Sequence, residues 1–128
     1  MPETTTRTTL RLELFVADVV QSVRFYTDVL GFVLENGPAV ADYNALVRGD
    51  VRLSVQTAAA LSADHPLARP GPKGLGVEFV LEVDELDAVY AHVAARHPVI
   101  AAPAMRPWGL RDFRVLDPDG YYWRITTR

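Results

Sequence analysis

The sequence predicts an α+β fold in which two tandem β-α-β-β-β modules form a curved mixed sheet around a central cavity. Two segments alternate apolar and polar side chains, and a segment with apolar residues at helical spacing follows each. The two units superimpose when the first is shifted by 67 positions, which places Leu12 on Phe79 and Leu14 on Leu81. At 128 residues and 49% hydrophobic composition, the chain predicts one domain with a substantial core.

Module one is predicted over about residues 8–57. Its first strand is "LRLELFV" (10–16), with an apolar face made of Leu10, Leu12, Leu14 and Val16. Asp18 is a candidate N-cap for the helix "VVQSVRFYTDVL", and Gly31 follows where a helix C-terminus favours glycine. The segments "FVLENG", "YNALV" and "VRLSVQT" predict three further strands.

A connector is predicted over about residues 58–74, because the segment is rich in proline and glycine. Module two, about 75–128, repeats the order of module one. Its strand "VEFVLEV" (77–83) precedes the helix "DELDAVYAHVAAR", which is expected to begin at Asp84 or Glu85 and to end before Pro98. Three strands fit after it, and "DPDG" (117–120) predicts a tight turn rather than a calcium loop, because the other loop ligands are missing.

Composition excludes several classes of function. The formal net charge is −3 and no run of basic residues occurs, so the chain lacks the patch expected for nucleic-acid binding. It has no cysteine, which excludes disulfides, thiolate metal sites and a cysteine nucleophile. The N-terminus "MPETTTRTTL" has no hydrophobic signal region, and no apolar stretch reaches membrane-spanning length. A cytoplasmic location without membrane or nucleic-acid partners is the expectation.

Charged residues on the polar faces of the predicted strands suggest a common site. Strand alternation places Arg11, Glu13, Glu78 and Arg124 on the side away from the helices, where they are expected to line one concavity. Charges that become buried persist only when paired. The four residues therefore either hold the two modules together or form the polar floor of a ligand pocket, and both roles are compatible.

Three segments resemble a known family. They are "ELFVADVVQSVRFYTDVLGF", "GVEFVLEVDELDAVYAHV" and "RVLDPDGYYWRI", and together they are similar to the vicinal oxygen chelate superfamily. That superfamily includes glyoxalase I, extradiol dioxygenases, fosfomycin-resistance enzymes and bleomycin-resistance proteins. The resemblance covers nearly the whole chain and implies paired β-α-β-β-β modules.

The resemblance also implies where a metal would be held in metal-using members. The three ligand positions correspond to Arg11, Glu78 and Arg124 in this sequence. A guanidinium group stays protonated and offers no lone pair to a cation, so only Glu78 could ligate. We therefore expect neither a metal site nor any other cofactor.

A second resemblance concerns the segment "PWGLRDFRVLDPDG" (107–120). It is similar to bleomycin-resistance proteins, which lack the metal ligands and bind a planar, cationic antibiotic in a groove formed by a dimer. The resemblance implies a homodimer, with Trp108 on the wall of the groove. Phe15 and Tyr122, on the polar faces of their strands, would add aromatic surface.

Two functions remain open at this point. The first is a metal-independent protein that binds a small, antibiotic-like or other natural-product ligand through Arg11, Glu13, Phe15, Glu78, Trp108, Tyr122 and Arg124. The second is an enzyme of the same superfamily, a lyase, isomerase or dioxygenase, with Glu78 or Glu13 as general base or with metal ligands at other positions. Neighbouring arginines disfavour a carboxylate base, which favours the binding protein.

Overall fold

A computed structural model describes residues 6–128 and confirms the predicted α+β fold of two β-α-β-β-β modules. Residues 1–5 of the polar N-terminal segment lie outside the described residues. The strands form two four-stranded sheets, one for each module, where the sequence suggested one curved sheet.

Module one contains β1 (Leu12–Val16), α1 (Val19–Arg24), a π-helical segment that continues α1 (Phe25–Val29), β2 (Val33–Leu34), β3 (Tyr43–Arg48) and β4 (Val51–Thr57). The strand order is β1-β4-β3-β2, with β1 parallel to β4 and the other pairs antiparallel. As predicted, Asp18 caps α1, since its Oδ1 accepts a hydrogen bond from the Gln21 amide at 3.1 Å. Gly31 ends the helical segment with a φ of 75°, which favours glycine.

Module two contains β5 (Phe79–Glu82), α2 (Leu86–Ala94), β6 (Ala101–Met105), β7 (Arg111–Leu116) and β8 (Tyr122–Thr126). Its strand order, β5-β8-β7-β6, is that of module one, so the sequence repeat is also a repeat of topology. Glu85 lies at the N-cap of α2 and makes no capping hydrogen bond through its side chain. Two 3₁₀ turns, Ala58–Ala60 and Pro66–Ala68, lie in the connector.

Both first strands start later than their alternation predicts. Leu10 and Val77 were assigned to the apolar faces, but they are 79% and 53% exposed. Sheet pairing begins only at Leu12 and Phe79, so the residues before them have no neighbouring strand to cover them. As a consequence, Arg11 and Glu78 each lie one position before a strand rather than inside it.

One hydrophobic core joins the two modules on the sides of the sheets that carry the helices. Tyr26, in the π-helical segment of module one, packs edge-on against Trp123 of β8, with ring centroids 5.8 Å apart. Phe25 packs in the same way on His97, at 4.7 Å. The helices of the described residues are all too short or too polar to cross a membrane. Because the helix sides are filled, the opposite faces of the sheets, here called the open faces, are where the polar side chains gather.

Candidate ligand-binding site

The open face of module two carries a group of polar and aromatic side chains that we call the module-two cluster. Strand alternation explains its position, because Phe113, Val115, Trp123 and Ile125 turn into the core and their neighbours on β7 and β8 turn away from it. The cluster consists of Glu78, Arg106, Trp108, Asp112, Arg114, Tyr122 and Arg124. Arg106 and Trp108 belong to the β6–β7 hairpin turn, which is closed by hydrogen bonds from the Arg106 amide to the Leu110 carbonyl and from the Gly109 amide to the Arg106 carbonyl.

Asp112 is the buried centre of this cluster, with no exposed surface. Its Oδ1 lies 2.8 Å from Arg106 Nε and 3.5 Å from Arg114 Nε, and its Oδ2 lies 3.8 Å from Arg124 Nη1. Burial alone would raise the pKa of Asp112, but the guanidinium groups of Arg106 and Arg114 lower it more, so the pKa lies below its ordinary value. Asp112 therefore stays ionised and holds three cations together.

Arg124 connects the charged part of the cluster with its aromatic part. Its Nε donates a hydrogen bond to Glu78 Oε1 at 2.9 Å. Its Cζ lies 5.5 Å from the ring centroid of Trp108, a distance typical of a cation–π contact. The Arg124 side chain is only 19% exposed, whereas Trp108 is 55% exposed. The structure thus presents an indole ring to solvent beside a guanidinium group that is mostly buried.

Arg114 lies directly opposite Arg124 in the register of β7 and β8. Its Nη1 donates a hydrogen bond to the Tyr122 hydroxyl at 3.2 Å. Its Nε and the Oδ2 of Asp112 are both buried without a hydrogen-bond partner among residues 6–128. Like charges directly across a strand pair destabilise a sheet. Asp112 offsets that repulsion only in part.

The open face of module one carries a smaller group, the module-one cluster of Arg11, Glu13, Tyr43 and Ser54. Arg11 Nη2 lies 3.3 Å from Glu13 Oε1, and the Tyr43 hydroxyl lies 2.8 Å from Ser54 Oγ and 3.4 Å from Glu13 Oε2. Phe15, two positions along β1 from Glu13, is half-buried. This cluster carries one positive and one negative charge that offset each other.

The four charges first assigned to one concavity therefore form two separate ion pairs, Arg11 with Glu13 and Arg124 with Glu78. The expected Arg–Glu contact at salt-bridge distance is found in each module. Among residues 6–128, no ion pair links the two groups to each other. A common pocket for both remains a prediction.

The acidic residues of "DPDG" hold the modules together. The Gly120 amide bonds to the Asp117 carbonyl at 3.1 Å, which confirms the predicted turn. Asp117 Oδ2 accepts a hydrogen bond from the Tyr26 hydroxyl at 2.6 Å, and Asp119 Oδ1 accepts one from the Ala17 amide at 2.8 Å. Burial raises the pKa of Asp117 and also raises that of Tyr121 to about 12. These carboxylates are occupied by protein donors, so their role is structural.

The side chains that correspond to family metal ligands do not suit a metal ion. Arg11 and Arg124 are cations without a lone pair to donate, and Glu78 already accepts a hydrogen bond from Arg124. Within residues 6–128, no three His, Cys, Asp or Glu side chains are grouped as a metal site would require. The donor set at these positions does not fit a metal, and no chemical step is assigned to one.

Sequence reasoning missed Asp112, Arg114 and Arg106. The first two could have been found, since "RDFRVL" alternates like the first strands and places both residues opposite Phe113. The contact of Arg106 with Asp112 depends on the hairpin that brings them together six positions apart, and no local pattern reports it.

Comparison with known proteins gives one family. Residues 8–125 match the model of the Glyoxalase/Bleomycin resistance protein/Dioxygenase superfamily. No curated protein sequence matches.

Solved structures with the same fold have names that suggest varied roles. One is a glyoxalase/bleomycin resistance protein/dioxygenase from Nocardioides, with 24% identity, a TM-score of 0.75, and coverage of 98% of this chain and 85% of that one. Another is TioX from Micromonospora sp. ML1, with 21% identity, a TM-score of 0.70, and coverage of 94% and 98%. A third is lactoylglutathione lyase from Agrobacterium tumefaciens, with 21% identity, a TM-score of 0.69, and coverage of 97% and 96%. At these identities the likeness concerns the fold alone.

Proposed function

Because the chain belongs to the Glyoxalase/Bleomycin resistance protein/Dioxygenase superfamily, we propose that it is a metal-independent protein that binds a small aromatic ligand, such as a natural product or an antibiotic-like molecule. The observation that carries the proposal is the exposed ring of Trp108 beside the mostly buried Arg124. An indole that stacks on a planar ligand gains about 1 kcal/mol beyond the burial of area. Tyr122, on the same face, adds aromatic surface, and the arginines orient the ligand.

Metal independence is part of the proposal and rests on the two arginines at family ligand positions. We expect the purified protein to contain no stoichiometric divalent metal. Elemental analysis by mass spectrometry measures this directly. One tightly held Zn, Ni, Mn or Fe ion per chain would overturn it and would favour an enzyme with ligands at other positions.

The ion pairs also favour binding over catalysis. Glu78 and Glu13, the candidate general bases, are each paired with an arginine, at 2.9 Å and 3.3 Å. Arg124 occupies one oxygen of Glu78, whereas Arg11 and the Tyr43 hydroxyl occupy both oxygens of Glu13. A bound ligand needs no free carboxylate oxygen, since the pairs can hold their positions while they contact it.

We further propose that the protein is a homodimer, in which a second copy covers the open faces. Large apolar side chains are exposed there, including Val80 and Leu116. A location in the cytoplasm, without nucleic-acid or membrane partners, also stays a prediction.

The two tryptophans allow a test of the binding site in one experiment. Each gives its own indole N–H signal in a ¹H–¹⁵N NMR spectrum, and Trp108→Ala identifies which signal is which. We expect 2-naphthamide, a neutral planar probe, to shift the Trp108 signal in a saturable way and to leave that of the buried Trp123 in place. Trp108→Ala, in which binding is followed through the probe's own NMR signals, should bind about fivefold more weakly, which corresponds to the stacking free energy of about 1 kcal/mol. A Trp108 signal that moves with no planar probe, charged or neutral, would contradict the proposal.

A further inference from the structure

The module-two cluster contains more positive than negative charge. The side chains of Arg106, Arg114 and Arg124 are 24%, 22% and 19% exposed, and Asp112 is the one fully buried carboxylate beside them. Glu78 pairs with Arg124 from a more exposed position. The five side chains carry three positive and two negative charges, which leaves one positive charge in excess.

The excess lies at the guanidinium ends of Arg114 and Arg124. Arg114 uses Nη1 for Tyr122 and has Nε near Asp112, whereas Arg124 uses Nε for Glu78 and has Nη1 near Asp112. Within residues 6–128, no hydrogen bond of Nη2 is found for either residue. Each Nη2 carries two N–H donors, and neither Nη2 is among the buried atoms that lack a partner, so these donors are accessible to a ligand.

Other nearby acids do not supply the missing charge. Glu82, on the same face of β5, pairs in register with Thr126 rather than with Arg124, and it is exposed to solvent. Glu13 is committed to Arg11 and Tyr43 in module one. Neither Glu82 nor Glu13 therefore pairs with the two facing arginines, and an anionic group of a ligand would balance their charge.

We propose that the ligand of this site is a planar aromatic molecule bearing a carboxylate, with the carboxylate between Arg114 and Arg124 and the ring on Trp108. This inference rests on the proposed function and names its ligand class. Arginine forks match carboxylates in a bidentate manner, and such charge-assisted hydrogen bonds are among the strongest in proteins. The register of β7 and β8 places the two guanidinium stems side by side, and the contact of Arg124 with Trp108 places the indole next to them.

The role of Asp112 follows from the same geometry. Asp112 lies within 4 Å of all three arginines, and its Oδ2 has no hydrogen-bond partner among residues 6–128. It is a positioning residue, which brings the two facing cations together against their repulsion and leaves their outer ends for the ligand.

The test compares three probes of the same ring and different charge: 2-naphthoate, 2-naphthamide and 2-naphthylmethylamine. Affinities come from NMR titration of the wild-type protein, read at the Trp108 indole signal. We expect naphthoate to bind at least about tenfold more tightly than naphthamide, and the amine to bind most weakly. Equal affinities for naphthoate and naphthamide would overturn the carboxylate assignment and leave the binding function standing. Failure of all three to bind would overturn both.

Variants that each remove one arginine show which residues cause the preference for naphthoate over naphthamide. Arg114→Gln and Arg124→Gln should each lower the affinity for naphthoate about tenfold and lower that for naphthamide less, so that the ratio of the two affinities falls. Arg24→Gln removes the same charge from the exposed face of α1 and should change neither. An equal loss in Arg24→Gln would show that the preference reflects overall charge. The Trp123 indole signal reports whether each variant is folded, and Arg124→Lys, which keeps the charge without the fork, should retain part of the preference.

Discussion

At the scale of single residues, Asp112 shows how one carboxylate determines a local charge pattern. It has no exposed surface, yet it stays ionised because the guanidinium groups of Arg106 and Arg114 lower its pKa. A buried ion pair contributes little net stability, but removal of one partner leaves uncompensated charge. The buried ion pairs of Asp112 are therefore better explained by a role in a binding site than by a contribution to the stability of the fold.

The lowered pKa of Asp112 gives a prediction with a definite sign. Because the folded pKa lies below the ordinary value of 3.8, its ionisation stabilises the fold above about pH 4, and that contribution is lost as pH falls through the folded pKa. Asp112→Asn lacks this contribution. The difference in free energy of unfolding between wild type and variant, about 1–3 kcal/mol near neutral pH, should stay constant down to about pH 4 and narrow as the pH falls below it.

Asp117→Asn is the matched comparison in urea denaturation. Burial raises the pKa of Asp117, so its ionisation opposes folding, and protonation at low pH relieves that cost in the wild type only. The free energy of unfolding of the wild type should therefore rise relative to that of Asp117→Asn as the pH falls. If both variants changed in the same direction with pH, the assigned shifts would be wrong.

The two tryptophans should differ in what they do for stability. Trp123 is 2% exposed and packs against Tyr26, Phe32 and Phe79, so Trp123→Ala should lower the free energy of unfolding by about 3–5 kcal/mol. Trp108→Ala, in the exposed turn, should cost less than about 1 kcal/mol. Chemical denaturation measures both. Equal losses would mean that Trp108 belongs to the core.

At the scale of elements, the "DPDG" turn and the π-helical segment of module one form one joint. Tyr26 donates to Asp117 at 2.6 Å and accepts from Trp123 Nε1 at 3.2 Å. Asp117 Oδ1 also accepts from the backbone amides of Asp119 and Tyr121. Every polar atom that the turn buries here is paired, which explains why a carboxylate is tolerated at 4% exposure.

Tyr26→Phe tests this joint. It leaves Asp117 Oδ2 and Trp123 Nε1 buried without a partner and should lower the free energy of unfolding by about 1–3 kcal/mol. Tyr90→Phe is the control, because its ring packs on Phe113 at 5.2 Å while no hydrogen bond of its hydroxyl is found among residues 6–128. Thermal unfolding should show a clear loss for the first variant and almost none for the second. If Tyr26→Phe did not change the free energy of unfolding, the contact between the two segments would be stabilised by packing alone.

The strands and helices were predictable because their signals are local. The alternation in "LRLELFV" and the capping residue Asp18 act within a few positions of the chain, and both were read correctly apart from the exposed Leu10. Site residues were predictable only where they lie in a strand with alternating apolar and polar side chains, as Arg124 does in β8. The contact between Tyr26 and Asp117 spans 91 positions and depends on how the modules pack, which no local pattern encodes.

At the scale of the whole molecule, the helix sides of both sheets share one core, and within residues 6–128 no comparable group of buried apolar side chains lies on the open faces. The short edge strand β2, with Val33 62% exposed, and the apolar residues of the open face of module two leave surface that a partner could bury.

The proposed homodimer predicts a particle of twice the chain mass of 14.2 kDa. Light scattering coupled to size exclusion measures this mass over a range of concentrations. If open-face residues are buried between two copies, Leu116→Glu, at the end of β7, should shift the equilibrium to monomer, because a buried interface does not tolerate an unpaired charge. A mass of 14.2 kDa at all concentrations would exclude the dimer.

The packing of Trp123 on Tyr26 also has a consequence for synthesis on the ribosome. The two residues are 97 positions apart, and the Tyr121 hydroxyl bonds to the Phe15 carbonyl across 106 positions. At typical translation rates, about 5–20 s pass between the addition of Tyr26 and that of Trp123. During that interval Tyr26 has been synthesised, but Trp123, which packs on it in the folded protein, has not. We therefore expect module one to complete its aromatic packing only after β8 has left the ribosome.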